Sequence, residues 1–257
     1  MSAALLALAL SASACAPLPG VEALLASPSR WIVAGEMHGT AEAPAAYADL
    51  VCHAGSRRPV VAAVEQPAID QPLIDAFIAS DGGAAAKAAF LKGRMWTMRD
   101  GRSSQAYLAL FERLRLLVRE GRVTRVVAFQ PMWNGPYEPA GYEKAMAKLL
   151  REASPDENRN VVALVGNLHA MLREAGMGAA AYLPAAALLP REATLTLNLE
   201  PNGGSAWNCT QDGCGAHDLW PPPRLYARGI VLGGDPRWSG TLYLGVPATP
   251  SPPAVPG

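Results

Sequence analysis

Two short units in this chain share one form. Gly35-Glu36-Met37-His38 and Gly166-Asn167-Leu168-His169 each place a histidine three residues after a glycine, and each follows an apolar run. The chain has four histidines, at positions 38, 53, 169 and 217, so two of the four recur behind matching glycines. A lone histidine in a loop is usually a solvated residue; the repetition argues that His38 and His169 share a task. Imidazole serves near neutral pH as general base, proton shuttle or metal ligand. Glu36 and Glu65 are the natural companions. Glu65 directly follows the apolar run Pro59–Val64, and a carboxylate leaving a buried strand needs a partner. Such carboxylates orient imidazoles, bind a metal or activate water. His53 follows Cys52 near a helix end and reads as a surface residue favoured by the helix dipole.

A second cluster, Arg94 to Ser104, carries Arg94, Arg99 and Arg102 before a long helix. Arg102, framed by Gly101 and next to a helix N-terminus, is the favoured group for an anionic substrate or an oxyanion; the bland alternative is surface charge beside a helix cap. Trp133 to Tyr137 follows a strand and is expected to wall the same crevice. Cys209 and Cys214 flank Thr-Gln-Asp-Gly, a spacing that suits a local disulfide in an oxidising compartment. The segment from Gly203 to His217 is either a lid held by that disulfide, with His217 as a third imidazole, or a structural loop elsewhere. Cys52 reads as an inert buried thiol. There is no P-loop, no Gly-x-Ser-x-Gly and no His-Glu-x-x-His, which argues against P-loop nucleotidases, α/β-hydrolase esterases and zincin proteases.

The elements that must hold these residues alternate. Strands are expected over Trp31–Ala34, Pro59–Val64, Val123–Phe129 and Asn160–Val165. Helices are expected over Ala41–Ala54, Asp70–Ser80, Ala84–Leu91, Ser103–Gly121 and 139–153, with a short one over Ala170–Ala175. Ser103 or Ser104 would cap the long helix. Ala193–Leu199 alternates with period two, as in a strand with one wet face; Arg228–Leu232 and Gly240–Leu244 follow as strands. The reading is an α/β fold: a mainly parallel sheet with helices on both faces and a polar site at the carboxyl ends of the strands, where such sheets bind ligands. It assigns 1–15 to a leader, 28–246 to one domain and 247–257 to a Pro-rich disordered tail.

The 257 residues are 50% hydrophobic, with 22 Lys plus Arg against 22 Asp plus Glu. That allows a sizeable core, and the neutral balance gives no reason to expect nucleic acid or an anionic membrane as partner. The Ala/Leu run from Ser2 to Leu10 is too short to span a bilayer. It leads into Ala12-Ser13-Ala14, a signal-peptidase pattern, although no Lys or Arg precedes it. Cys15 comes next, so lipidation of Cys15 stands as the alternative to plain secretion. Either way the protein is expected to be exported, as a periplasmic protein or a membrane-anchored lipoprotein, and to meet a membrane only through a lipid on Cys15.

Glu36-Met37-His38-Gly39-Thr40 behind Gly35, then Glu65, an arginine-bearing helical region and Gly166-Asn167-Leu168-His169 resemble the Tiki/TraB, erythromycin esterase and ChaN-like haem-uptake superfamily over about residues 30 to 175. The form is most similar to the ChaN-like and esterase branches. The resemblance implies an α/β fold with its site at the strand ends, built from Glu36, His38, Glu65, His169 and an arginine, Arg102 or Arg115. The segment around Cys209 and the C-terminal strands have no counterpart, and none of the seven tyrosines stands out as a haem ligand. The branches differ in chemistry, so two functions follow. One is an exported hydrolase acting on an ester, lactone or peptide bond of a small molecule or peptide; His38 with Glu36 or Glu65 would activate water, and His169 and the arginine would stabilise the oxyanion. A divalent metal on Glu36, His38, Glu65 and His169 would assist it. The other is a haem- or metal-binding lipoprotein without turnover, with His38 and His169 on the cofactor. A binding domain without chemistry is the third.

Overall fold

The computed structural model of the chain describes residues 14–154, 156, 158–211, 213–219 and 225–255. The expected signal sequence before residue 14 lies outside these residues. The described chain runs α1 (Val21–Leu25), β1 (Trp31–Glu36), α2 (Glu42–Arg57), β2 (Val60–Pro67), α3 (Gln71–Ala79), α4 (Ala84–Phe90), α5 (Gln105–Arg119), β3 (Val123–Gln130), α6 (Pro139–Glu152), β4 (Val161–Gly166), β5 (Thr194–Glu200), β6 (Ser205–Thr210), β7 (Gly213–Asp218), β8 (Gly229–Leu232) and β9 (Gly240–Tyr243).

One seven-stranded sheet has the order β3-β2-β4-β1-β5-β9-β8, with β6 and β7 in a separate hairpin. All neighbours in the large sheet are parallel except the edge pair β8–β9. Strands β1, β2 and β4 are almost wholly buried, which is why they read as continuous apolar runs rather than alternating ones. Helices α1 to α5 cover one face, and α6 with the segment after β4 covers the other. The α/β fold with helices on both faces is therefore as the alternation implies. Because β4 inserts between β1 and β2, the three strands that carry the glycine, glutamate and histidine units lie side by side, with Glu36 in register with Gly166.

The loop before α5 is anchored from below. Phe77 stacks on Phe90 at 4.4 Å, and Phe90 meets Trp96 and Phe111 edge-on. Each such pair adds about 0.5–1.5 kcal/mol beyond burial. The Trp96 indole N–H donates to the Phe90 carbonyl and the Met95 N–H to Asp70. Ser104 caps α5, accepting from the Tyr107 N–H.

Several expectations change. Residues 170–175 form turns rather than a helix, and Ala175 pairs across a bridge with Tyr182. Strand β5 has no wet face. Thr194 and Thr196 are buried, and their hydroxyls are satisfied by the Pro190 carbonyl and the Ser239 N–H. The domain begins before residue 28, because Leu18, Val21 and Leu24 belong to the core. It also extends past 246. Segment 248–254 is a fixed strap: Thr249 O and Pro252 O accept from the N–H groups of Ala41 and Gln105, and Ser251 Oγ accepts from Ala106. Helix starts leave N–H groups without partners, and a proline-rich strand keeps the carbonyls that satisfy them.

The cysteines form two disulfides, Cys15–Cys52 and Cys209–Cys214. The second is the expected local bridge. The first overturns two expectations, since Cys52 is not a free thiol and the Cys15 sulfur, bonded to Cys52, is not available for a lipid thioether. Two disulfides fit an exported protein. No helix among the described residues is long and apolar enough to cross a membrane.

Candidate functional site

The site is centred on Glu65. Its Oε1 accepts from Arg102 Nη1 at 2.6 Å and its Oε2 from the Gly166 N–H at 2.6 Å. Two imidazoles point their Nε2 atoms at this carboxylate, His38 at 3.5 Å from Oε2 and His169 at 3.8 Å from Oε1. Each has its Nδ1 on a carboxylate of its own. His38 Nδ1 lies 3.0 Å from Glu36 Oε1 and His169 Nδ1 lies 2.6 Å from Glu143 Oε1. Glu36 and Glu143 are held in turn, Glu36 Oε1 by the Tyr107 hydroxyl and Glu143 Oε2 by the Ala185 N–H at 2.7 Å. Glu36, Glu65 and Glu143 are each no more than 2% exposed, so every carboxylate here depends on these partners.

Glycines make the geometry fit. A Cβ on Gly166 would lie 3.1 Å from His38 Nε2, 3.4 Å from the His169 ring and 3.6 Å from Glu65 Oε2. The missing side chain therefore leaves room between the two imidazoles. Gly39, at φ +88°, lets the loop after His38 turn so closely that a Cβ would meet the Trp207 carbonyl at 2.0 Å. Its own carbonyl accepts from the N–H groups of Trp207 and Ser251, both at 2.9 Å. The disulfide-bonded β6–β7 hairpin and the C-terminal strap thus clamp the His38 loop. Gly35 is an ordinary residue of β1 rather than a turn; its lack of a side chain admits Asn167 and Ala170.

Charge follows from these contacts. Burial alone would lower the His38 pKa, but the hydrogen bonds and charges of Glu36 and Glu65 outweigh it and raise it to about 9. His169 is raised in the same way, against burial, by Glu143 and Glu65. Burial opposes ionisation of Glu65, yet the Arg102 charge and the two imidazoles hold it well below the usual carboxylate range. Burial and the Glu36 charge push the Tyr107 hydroxyl far up, so it stays a neutral donor.

Of the residues expected from sequence, Glu36, His38, Glu65, His169 and Arg102 converge. Arg102, the favoured arginine, sits inside the site, whereas Arg115 is buried along α5 against Gly82 and the Ser80 carbonyl. The contacts of Arg102 differ from those of an anion binder. Nη1 donates to Glu65 and Gln130, and Nε and Nη2 to Asp100. It braces Glu65. His217 bonds the Gly213 carbonyl within its hairpin and is not among the groups around Glu65. His53 bonds the Ala16 carbonyl.

Sequence reading missed Glu143, Tyr107, Asp100 and Gln130. Glu143 did leave a signal: it occupies the buried stripe of α6 with Met146, Ala147 and Leu150, a position where a carboxylate is costly unless paired. Tyr107 looks like any aromatic on the apolar face of α5.

The donor set is not arranged as a metal site. Glu65 is occupied by a guanidinium and a backbone N–H. Among the described residues no group of three or more His, Cys, Asp or Glu is arranged to hold a metal ion. The expected metal set of Glu36, His38, Glu65 and His169 is not what this arrangement offers.

The fold recurs in solved structures. A succinoglycan biosynthesis protein matches with a TM-score of 0.66 at 9% identity, over 90% of this chain and 91% of the other. A mutant erythromycin esterase, EreC, in its open conformation matches with a TM-score of 0.58 at 12% identity, over 78% of each chain. The type III effector HopBA1 matches with a TM-score of 0.51 at 16% identity, over 93% of this chain and 99% of the other. No protein-family model and no curated protein matches the sequence. The chain shares the fold of these solved structures.

Proposed function

We propose that this protein is an exported hydrolase that cleaves an ester, lactone or related acyl bond with a metal-free pair of imidazoles. The observation that carries the reading is the convergence of two carboxylate–imidazole pairs on Glu65, with the space beside Gly166 between them. Two titratable groups held in different environments are the usual basis for separate acid and base roles. His38 faces two carboxylates at 3.0 and 3.5 Å and holds its proton to about 9. His169 is likewise raised, against burial, by Glu143 and Glu65, with the charge of His38 opposing, and it is assigned the base role.

The division of labour is then the reverse of the one the motifs alone suggest. His169 Nε2 takes a proton from water as its oxygen attacks the acyl carbon. The oxyanion that forms is stabilised by the His38 N–H, and when the bond to the leaving oxygen breaks, that proton passes to it. Arg102 and the Gly166 N–H hold Glu65 ionised between the rings. Export is supported by the two disulfides, and with the Cys15 sulfur bonded to Cys52 the reading favours a secreted or periplasmic protein over a lipid-anchored one.

The test is hydrolysis of a panel of aryl esters, alkyl esters and lactones by the wild type and by His38→Ala and His169→Ala, with circular dichroism to confirm folding. Turnover in the wild type that falls by about 10²–10⁴ in either variant supports the reading. No turnover on any acyl substrate, or turnover indifferent to both histidines, would sink it.

A further inference from the structure

Segment 94–99 separates two clefts. One, of about 450 Å³, lies between Trp96, Arg99, Trp207 and the C-terminal strap. The other, of about 350 Å³, lies outside the ends of β2 and β3, and it shares its inner wall with the site. Tyr142, part of that wall, has its ring 6.1 Å from the His169 ring. Gln130, also in the wall, accepts from Arg102 at 3.2 Å. Two residues of this wall thus stand beside the site, Tyr142 next to the His169 ring and Gln130 on the arginine that holds Glu65.

The lining is mixed: Arg94, Thr97 and Gln130 are polar, and the rest is apolar or aromatic. Pro67, Met98, Met132, Trp133 and Tyr142 present apolar and aromatic surface, and Arg94 is the one charged residue that lines it. The aromatic rings are braced: Trp133 and Tyr142 meet edge-on at 5.9 Å, and the Trp133 indole N–H donates to the Pro136 carbonyl. Arg94 is exposed, and its guanidinium has no hydrogen bond or ion pair among the described residues. Flat aromatic walls favour a planar apolar group. A guanidinium with free donors favours a carboxylate or another planar anion.

We propose that this cleft is the substrate-recognition subsite, and that it takes a flat apolar group bearing an anionic substituent, with the anion on Arg94 and the scissile bond toward His169. The substrate class is thus an acyl compound of an aromatic or similarly flat acid, charged at the end away from the reacting bond. This deepens the hydrolase reading and rests on it for the direction of the scissile bond. The binding itself needs no turnover.

The experiment uses two probes of equal shape, 3-phenylpropionate and 3-phenyl-1-propanol. Their affinities are measured by calorimetry or ligand-observed NMR, at fixed ionic strength, on the wild-type protein, Arg94→Gln, Arg94→Lys and Arg99→Gln. The acid is expected to bind more tightly than the alcohol by about three- to ten-fold, the range of a partly exposed charged hydrogen bond. Arg94→Gln should abolish that preference, Arg94→Lys should restore part of it and Arg99→Gln should leave it intact. Equal affinities, no binding of either probe at millimolar concentration, or a preference that follows Arg99 instead of Arg94 would each overturn the proposal. The binding result and the turnover result separate the two readings. Arg94-dependent binding in a protein that hydrolyses nothing would leave the subsite standing without the hydrolase. Turnover with no Arg94-dependent binding would leave the hydrolase without this subsite.

Discussion

The two imidazoles reach Glu65 by different routes. His38 and its carboxylate are two residues apart at the end of β1, and the pair is clamped from outside by the hairpin at Trp207 and the strap at Ser251. His169 draws its carboxylate from α6, 26 residues earlier in the chain, and that glutamate is fixed by a backbone N–H from Ala185 on the far side of the next loop. One pair is assembled locally and locked by distant segments. The other is assembled by tertiary packing alone. A local pair keeps its geometry when the surroundings shift, whereas a tertiary pair depends on the docking of a whole helix.

The largest test of that contrast is kinetic. His169→Ala should cost about 10²–10⁴ in rate on activated aryl esters and on alkyl esters alike, because both need a base. His38→Ala should cost more on alkyl esters than on aryl esters, because both lose the oxyanion donor but only the alkyl leaving group also loses its proton source. Equal losses on both substrates for His38→Ala would erase the distinction between the two imidazoles.

Next in size is the shared brace. Arg102→Met leaves the buried Glu65 without its cation, and breaking a buried pair from one side costs about 3–5 kcal/mol. Chemical denaturation should show a loss of that order. A loss below about 1 kcal/mol, the range of exposed ion pairs, would mean that Glu65 does not rely on Arg102.

The pH profile separates the pairs further. Rate should rise as His169 loses its proton and fall as His38 loses its own near about 9. Glu36→Gln removes an anion from His38 and should move the alkaline limb to lower pH while leaving the acid limb in place. Glu143→Gln should move the acid limb to lower pH and spare the alkaline one. Limbs that move the other way round would exchange the roles of the two histidines.

The smallest effect is on the pH dependence of stability. The His38 pKa is raised on folding, from 6.5 to about 9. Its contribution is therefore complete below about pH 6.5 and disappears as pH rises through about 9. Glu65 is shifted the other way, so its contribution is present at neutral pH and fades only in acid. The melting temperature should decline between those two values in the wild type and decline less in His38→Gln. An identical slope in both would show that His38 titrates the same way in the folded and unfolded chains.

The residues Glu36, His38, Glu65 and His169 were legible because each lies at or just beyond the carboxyl end of a buried parallel strand, and such strands announce themselves as apolar runs. Arg102 was legible from its glycine and the helix cap beside it. What the spacing could not convey was partner choice. Glu143 lies within a helical stripe, Tyr107 within another, and Cys15 sits 37 residues from Cys52; all three meet their partners only after the helices pack. The tail misled for a similar reason. Proline-rich composition speaks for an extended backbone, and whether that backbone is bound depends on free N–H groups elsewhere, here those of Ala41, Gln105 and Ala106.

By itself, then, the sequence determined the strands of the large sheet and helices α2 to α6, the edge of the sheet at which polar groups gather, and both histidines and two of the three glutamates that gather there, because local periodicity and strand ends are properties of contiguous residues. Only the tertiary structure decided that Glu65 is the centre, that Arg102 braces it instead of awaiting an anion, and that each imidazole has a carboxylate of its own. Those outcomes depend on which buried charge finds which counter-charge across the packed sheet and helices, and no segment of the chain contains both halves of that choice.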